Sequence, residues 1–116
     1  MIRTAAAYLV RPLSILFVVA VFSVEIGAQP QPKPFAKGDP AVGKTMNDKD
    51  CVGCHARRFD GDADKMYLRS DRKVQTPAQL VAQIAMCNTQ LGTSYFPEEE
   101  EHVAAYLNLQ YYKFKP

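Results

Sequence analysis

CVGCH, residues 51–55, is the stretch that decides how this chain folds. It places two cysteines three positions apart, with a histidine directly after the second cysteine. Zinc half-sites, redox dithiols and covalent haem attachment sites all use this cysteine spacing. Each of the three uses needs something different from the rest of the chain, so the remaining residues distinguish them.

The rest of the chain does not supply what a zinc site, a dithiol or a disulfide requires. A structural zinc site needs four ligands, and the only other soft ligands, Cys87 and His102, fall on two different predicted helices. A thioredoxin-like dithiol belongs to a βαβ unit, and this sequence has no run of alternating β-branched residues. A disulfide between Cys51 and Cys54 would close a loop too short to restrict the unfolded chain by much.

Covalent attachment of haem explains every position of the motif. In a C-x-x-C-H site each thiol adds to one vinyl group of the porphyrin, and the adjacent imidazole coordinates the iron. The motif therefore predicts one haem c per chain, attached at Cys51 and Cys54, with His55 as the proximal axial ligand. A bound haem would also enlarge the core of a short chain, which hydrophobic burial alone stabilises only marginally.

The N-terminal residues 1–28 are typical of a secretory signal peptide. Arg3 and Arg11 supply positive charge, and the apolar run 13–24 that follows is shorter than a membrane span needs. We expect cleavage after Ala28 and export to the periplasm, or otherwise out of the cytoplasm, where such motifs acquire haem in bacteria. Retention of this segment as a membrane anchor is the alternative.

The composition argues against nucleic acid as a partner. Among 116 residues there are 14 lysines and arginines and 12 aspartates and glutamates. Loss of residues 1–28 removes two of the basic and one of the acidic side chains, which leaves a net charge of +1. Binding of nucleic acid needs a clustered basic face instead.

The remaining chain divides into a linker and one domain. Residues 29–38 contain three prolines and predict an extended tether. Residues 39–116 have the length of a single domain and carry helical signals throughout, so we expect an all-α fold. Three helices should follow the caps Asp39 and Thr76 and the residue Pro97, with a shorter helix near residues 66–69.

Two of these helices have a recognisable apolar face. The expected faces consist of Leu80, Ile84, Cys87 and Leu91 on the first of them, and of Val103, Tyr106, Leu107 and Tyr111 on the last. The glutamate run 98–101 is interpreted as the solvated first turn of the last helix. Gly43, inside the first helix, indicates close approach of another element, because an alanine there would favour the helix by roughly 1 kcal/mol.

The stretch GDPAVGKTMNDKDCVGCH, residues 38–55, resembles the opening of the class I cytochromes c. The stretch EEEEHVAAYLNL, residues 98–109, resembles the closing helix of that family. The resemblance extends from residue 38 to about residue 110 and implies a class I cytochrome c fold, with three to four short helices around one covalently bound haem. In that family the first and last helices cross at a glycine and an aromatic residue, which implies packing of Gly43 against Tyr106 or Leu107.

The distal ligand of the iron is less directly indicated. Members of the family usually carry a methionine ligand in the loop before the last helix, and here that loop, GTSYFPEEE, has none. IAMCNTQLG, residues 84–92, is similar to a stretch of the Sphaeroides haem protein group, in which the residue before a cysteine–asparagine pair is a displaceable ligand. That similarity implies Met86 as the distal axial ligand, and it aligns Cys87 with a disulfide cysteine whose partner this chain lacks. Cys87 as a thiolate, Met66, and an open or Asn88-occupied position are the alternatives.

These features predict a periplasmic electron carrier and not an enzyme, since no acid–base pair is evident. Its partners would be redox proteins, steered to the haem edge by a modest ring of cations: Lys37, Lys44, Lys49, Arg57 and Arg58. One alternative is a gas-binding haem protein with a weak sixth ligand. Another is the haem subunit of a sulfur-oxidising enzyme, with Cys87 on the iron.

Overall fold

The structure, a computed structural model, describes residues 33–116, so the predicted signal peptide at 1–28 lies outside the described residues. The elements are α1 (Pro40–Asp50), α2 (Val52–Arg58), α3 (Lys65–Leu68), α4 (Pro77–Leu91), α5 (Pro97–Leu107) and a π-helical turn (Asn108–Tyr112). No strand occurs between residues 33 and 116, which confirms the all-α prediction for this part of the chain. Residues 33–116 contain five α-helices, where three to four were expected.

The helix starts follow from the capping residues in the sequence. Asp39 is extended, and its carboxylate accepts hydrogen bonds from the Ala41 and Val42 amides at 2.8 and 3.4 Å. Thr76 caps α4 in the same way through its hydroxyl, which accepts from the Gln79 amide. Each cap satisfies amides that have no partner within the helix, which stabilises the helix by about 1 kcal/mol.

Helices α1 and α5 make the most extensive helix–helix contact in the described structure. Gly43 is buried there against the α5 backbone, and a Cβ at this position would lie 2.9 Å from the Val103 nitrogen and overlap the His102 carbonyl. The expected contact with Tyr106 or Leu107 is therefore displaced by about one helical turn toward the α5 N-terminus. A hydrogen bond from the Asp39 amide to His102 Nδ1, 2.8 Å long, fixes this register.

Residues 33–38 differ from the extended tether that their prolines predicted. They form a turn, closed by a hydrogen bond from the Gly38 amide to the Phe35 carbonyl, and the Phe35 side chain packs against the core. The Lys37 amide donates to Glu101 Oε1 at 3.2 Å. Burial of the Phe35 ring and this contact with α5 hold the segment in place. The prediction of a tether rested on the prolines of residues 29–38 and considered neither contact.

The glutamate run has more specific contacts than a solvated turn would. Glu99 accepts from the Phe96 amide at 2.9 Å and so caps α5. Glu100 accepts from the Asn88 side chain at 2.6 Å, and Glu101 accepts from the segment before α1. The carboxylates also lie at the positive end of the helix dipole, as expected.

The core lies where α4, α5, α3 and the C-terminal segment meet. Leu80 is 1% exposed, and burial of such a side chain contributes roughly 1.5–3 kcal/mol. The full set of buried core residues is Tyr67, Val74, Leu80, Ile84, Val103, Ala104, Leu107 and Tyr112. None of the helices between residues 33 and 116 has the length and hydropathy that a membrane span requires.

Tyrosines connect α3 to both ends of the domain. The Tyr67 hydroxyl donates to Asn47 Oδ1 on α1 at 3.0 Å. This bond gives a partner to the side-chain oxygen of Asn47, a residue that is only 2% exposed. The Tyr67 ring stacks on Tyr111 with 4.7 Å between centroids, and the Tyr111 hydroxyl donates to Asp64 at 2.8 Å. The chain after α5 is thereby held against α3.

Candidate functional site

A cavity of about 340 Å³ lies between α2, α4 and α5. That volume falls within the range of roughly 300–1,000 Å³ found for small-molecule and cofactor sites. Cys51, Cys54 and His55 line it, as does Met86 on α4, so the structure brings all four predicted site residues to one cavity. Buried apolar side chains form much of the remaining wall: Val74, Leu80, Ile84, Val103 and Leu107.

The local structure of the C-x-x-C-H motif explains why its three side chains share a face. Cys51 stands at the junction of α1 and α2, where its amide still donates to the Asn47 carbonyl of α1. Cys54 and His55 follow three and four positions later in α2, and side chains at those spacings are neighbours on a helix surface. The motif therefore presents two sulfurs and one imidazole to the same cavity.

His55 has the environment of a neutral imidazole. Its Nδ1 is buried and has no hydrogen-bond partner among residues 33–116. Its ring meets the edge of the Tyr67 ring at 5.2 Å between centroids. Burial lowers the pKa of His55, and the positive charge of Arg58 lowers it further. A neutral imidazole is the form that coordinates metal ions.

Cys51 does not have the thiol pKa of a reactive C-x-x-C cysteine. Burial raises the pKa of Cys51 to about 11, with smaller contributions from Cys87 and Asp50. Reactive C-x-x-C cysteines have a lowered thiol pKa instead. Within residues 33–116, no three His, Cys, Asp or Glu side chains gather closely enough to share a metal ion, so the four ligands of a structural zinc site are not assembled there.

Two sulfur-bearing side chains of α4 line the cavity. Cys87 is half-buried on the same face as Leu80 and Ile84, and Gln83 Nε2 donates to its sulfur at 3.4 Å. Met86 also lines the cavity and is 46% exposed. Adjacent helical residues point about 100° apart, which places these two sulfurs on different sides of the helix.

Asn88, the third candidate on α4, is fully engaged in holding the following loop. Its Nδ2 donates to the Tyr95 carbonyl at 2.9 Å and to Glu100 Oε1 at 2.6 Å. Its Oδ1 accepts from the Thr93 hydroxyl at 2.6 Å and from the Tyr95 amide at 3.0 Å. The Tyr95 hydroxyl in turn donates to Asp50, the residue before Cys51. Asn88 thus positions the loop that reaches the C-x-x-C-H motif.

The cations that line the cavity are mostly not those that the sequence singled out. Of the five cations expected near a haem edge, only Arg58 lines the cavity. Three others that were not singled out do line it: Arg69, Arg72 and Lys73. Their closeness in RSDRK, residues 69–73, was the available signal. Clustered charges alone do not indicate which cavity they will line.

Comparison with known proteins yields no match to a protein family, a curated protein or a solved structure.

Proposed function

We propose that this chain is a monohaem c-type cytochrome with the class I fold, which carries single electrons between redox partners outside the cytoplasm. The observation that carries the proposal is the single cavity lined by both cysteines and the histidine of the C-x-x-C-H motif and by two sulfur side chains of α4. The crossing of α1 and α5 at Gly43 supports the fold assignment.

The residues present fit the cofactor. Cys51 and Cys54 would hold the porphyrin as thioethers. His55 would be the proximal axial ligand, and its Nδ1 is buried without a hydrogen-bond partner in the described part of the chain. When bound, the haem supplies a reversible one-electron couple. The apolar wall formed by Leu80 and Val103, which are 1% and 2% exposed, excludes water from this couple.

The distal ligand is proposed to be a sulfur of α4. Met86 is retained as the expected thioether ligand, since it lines the cavity. Cys87 is the competing donor, because it lies nearer the middle of the cavity-lining face and is less exposed than Met86. Asn88 is the weaker candidate, because the described loop already uses both ends of its amide.

The first experiment tests attachment of the cofactor. The full chain is exported from a bacterium that matures c-type cytochromes, and the purified protein is examined by intact mass and by the spectrum of its reduced pyridine complex. We expect one haem per chain and the spectrum of two thioethers, and Cys54→Ser should give the spectrum of one thioether. A colourless protein with the bare peptide mass would refute the proposed function.

The second experiment identifies the distal ligand. The oxidised protein should show the charge-transfer band of methionine ligation, and Met86→Ala should remove it while Cys87→Ser leaves it unchanged. If Cys87→Ser alters the spectrum and Met86→Ala does not, the ligand is the Cys87 thiolate and the sulfur-chemistry alternative gains support. A reduced wild-type protein that binds carbon monoxide readily would favour the gas-binding alternative.

A further inference from the structure

The cavity has a strongly unequal distribution of charge along its wall. Among residues 33–116, four cationic side chains line it and one carboxylate does, that of Asp50, which accepts a hydrogen bond from the Tyr95 hydroxyl. The cations are Arg58, Arg69, Arg72 and Lys73. Arg58 and Lys73 are exposed, whereas Arg69 and Arg72 are half-buried. A half-buried cation beside an apolar cavity is costly unless an anion pairs with it, so this wall favours a ligand with negative charge.

Arg72 is the best positioned of these cations. It is half-buried, its Nη1 donates to the Tyr67 carbonyl oxygen at 2.8 Å, and its guanidinium lies 4.8 Å from the centroid of the Tyr112 ring. Both contacts orient the group, but neither partner is an anion. Among residues 33–116 no carboxylate forms an ion pair with Arg72. A guanidinium has five donors in a rigid fork, so most of its donors remain for a ligand.

Arg69 stands three residues earlier at the same wall and is also half-buried. Its Nε lies 3.3 Å from Asp71 Oδ1, but without the geometry of a hydrogen bond, and the Asp71 side chain is 77% exposed. Such a surface pair contributes little, typically about 0–1 kcal/mol. Its guanidinium lies over the Phe59 ring at 5.8 Å. Arg69 is therefore held near the cavity without a strong anionic partner.

We propose that Arg72, assisted by Arg69, binds the propionate carboxylates of the haem. The inference rests on the proposed function. Haem is an apolar ring with two carboxylates at one edge, and Cys51 and Cys54 would hold the vinyl-bearing part of the ring. The carboxylates, at another edge of the ring, then require a cationic partner, and the fork of an arginine matches a carboxylate with two parallel hydrogen bonds.

The test compares Arg72→Gln with Arg57→Gln in the purified, haem-loaded protein. Arg57 is exposed on α2 and does not line the cavity, so it is a matched control for loss of one positive charge. The midpoint potential of each protein is measured by redox titration across the neutral pH range. A positive charge near the haem disfavours the oxidised state, so its removal should lower the potential.

We expect a lower potential in Arg72→Gln, with a new pH dependence near neutrality, because a propionate without its partner takes up a proton at higher pH. Arg72→Lys should restore much of the potential, and Arg57→Gln should match the wild type. Arg69→Gln should lower the potential by a smaller amount, and it serves as the test if Arg72→Gln does not accumulate. An Arg72→Gln protein with full haem content and an unchanged potential overturns this proposal alone, whereas a colourless wild type overturns the proposed function with it.

Discussion

Replacement of Gly43 by alanine tests the α1–α5 crossing on which the fold depends. The new Cβ would lie 2.9 Å from the Val103 nitrogen and would overlap the His102 carbonyl. Ordinary contacts of this kind are about 3.5–4.0 Å, so the Val103 nitrogen alone requires a separation of about 0.6 Å, and the overlap with the His102 carbonyl requires more. The contacting atoms belong to the α5 backbone, which cannot rotate away as a side chain could.

The expected magnitude is a balance of two effects. Overpacking of a core costs typically about 1–3 kcal/mol, and the backbone wall places Gly43→Ala at the upper end of that range. The higher helix propensity of alanine offsets about 1 kcal/mol of this loss in stability. We therefore expect the free energy of unfolding to fall by about 2 kcal/mol.

Gly53→Ala is the matched control, because Gly53 is also a helical glycine. The nearest atom to a Cβ there is Arg57 Nη1 at 3.8 Å, which is ordinary contact with the end of a flexible side chain. This variant should be neutral or more stable by up to about 1 kcal/mol. Both variants are compared with the wild type by urea unfolding followed by circular dichroism. Equal stabilities for the two variants would contradict the close approach at Gly43.

Three further predictions concern caps, the loop and pH. Asp39→Ala removes the α1 cap and should lower the free energy of unfolding by about 1 kcal/mol in the same urea assay; an unchanged value would show that the cap is dispensable. Asn88→Ala removes four hydrogen bonds and should cost roughly 2–3 kcal/mol, against no more than about 0.5 kcal/mol for the exposed Thr89→Ala control. Burial, and then the hydrogen bond to Asp64, holds the pKa of Tyr111 far above its ordinary value of about 10. Unfolded tyrosine releases its proton above that pH and the folded one does not, so the free energy of unfolding should fall as the pH rises above about 10, and less steeply in Tyr111→Phe.

The helix boundaries were accessible from the sequence because their signals are local. Asp39 and Thr76 cap the helices that they were expected to cap, and Gly92 ends α4 in the left-handed conformation, with φ at 66°. A cap acts on amides within three residues, so the order of residues along the chain contains the information. The apolar face of α4 was likewise readable from its period, and Leu80 and Ile84 are buried as expected.

The number of helices was harder to predict, because one of them has no local signal in the sequence. The motif at residues 51–55 lies at the start of α2, a helix of 7 residues with no buried side chain and no side-chain cap. Its sequence contains neither an apolar period nor a capping signal. No local signal in the sequence therefore indicates that this segment is helical.

The sequence by itself determined the all-α class, the caps and the grouping of Cys51, Cys54 and His55, since helical spacing places residues three and four apart on one face. Only the tertiary structure decided that Gly43 meets His102 and that Arg72 and Arg69 line the cavity. Those contacts join residues far apart in the chain, across helices whose relative position depends on packing of the whole core. No local signal specifies contacts between residues so far apart in the chain. The role of the charges in residues 69–73 can be inferred only once the cavity beside them is known.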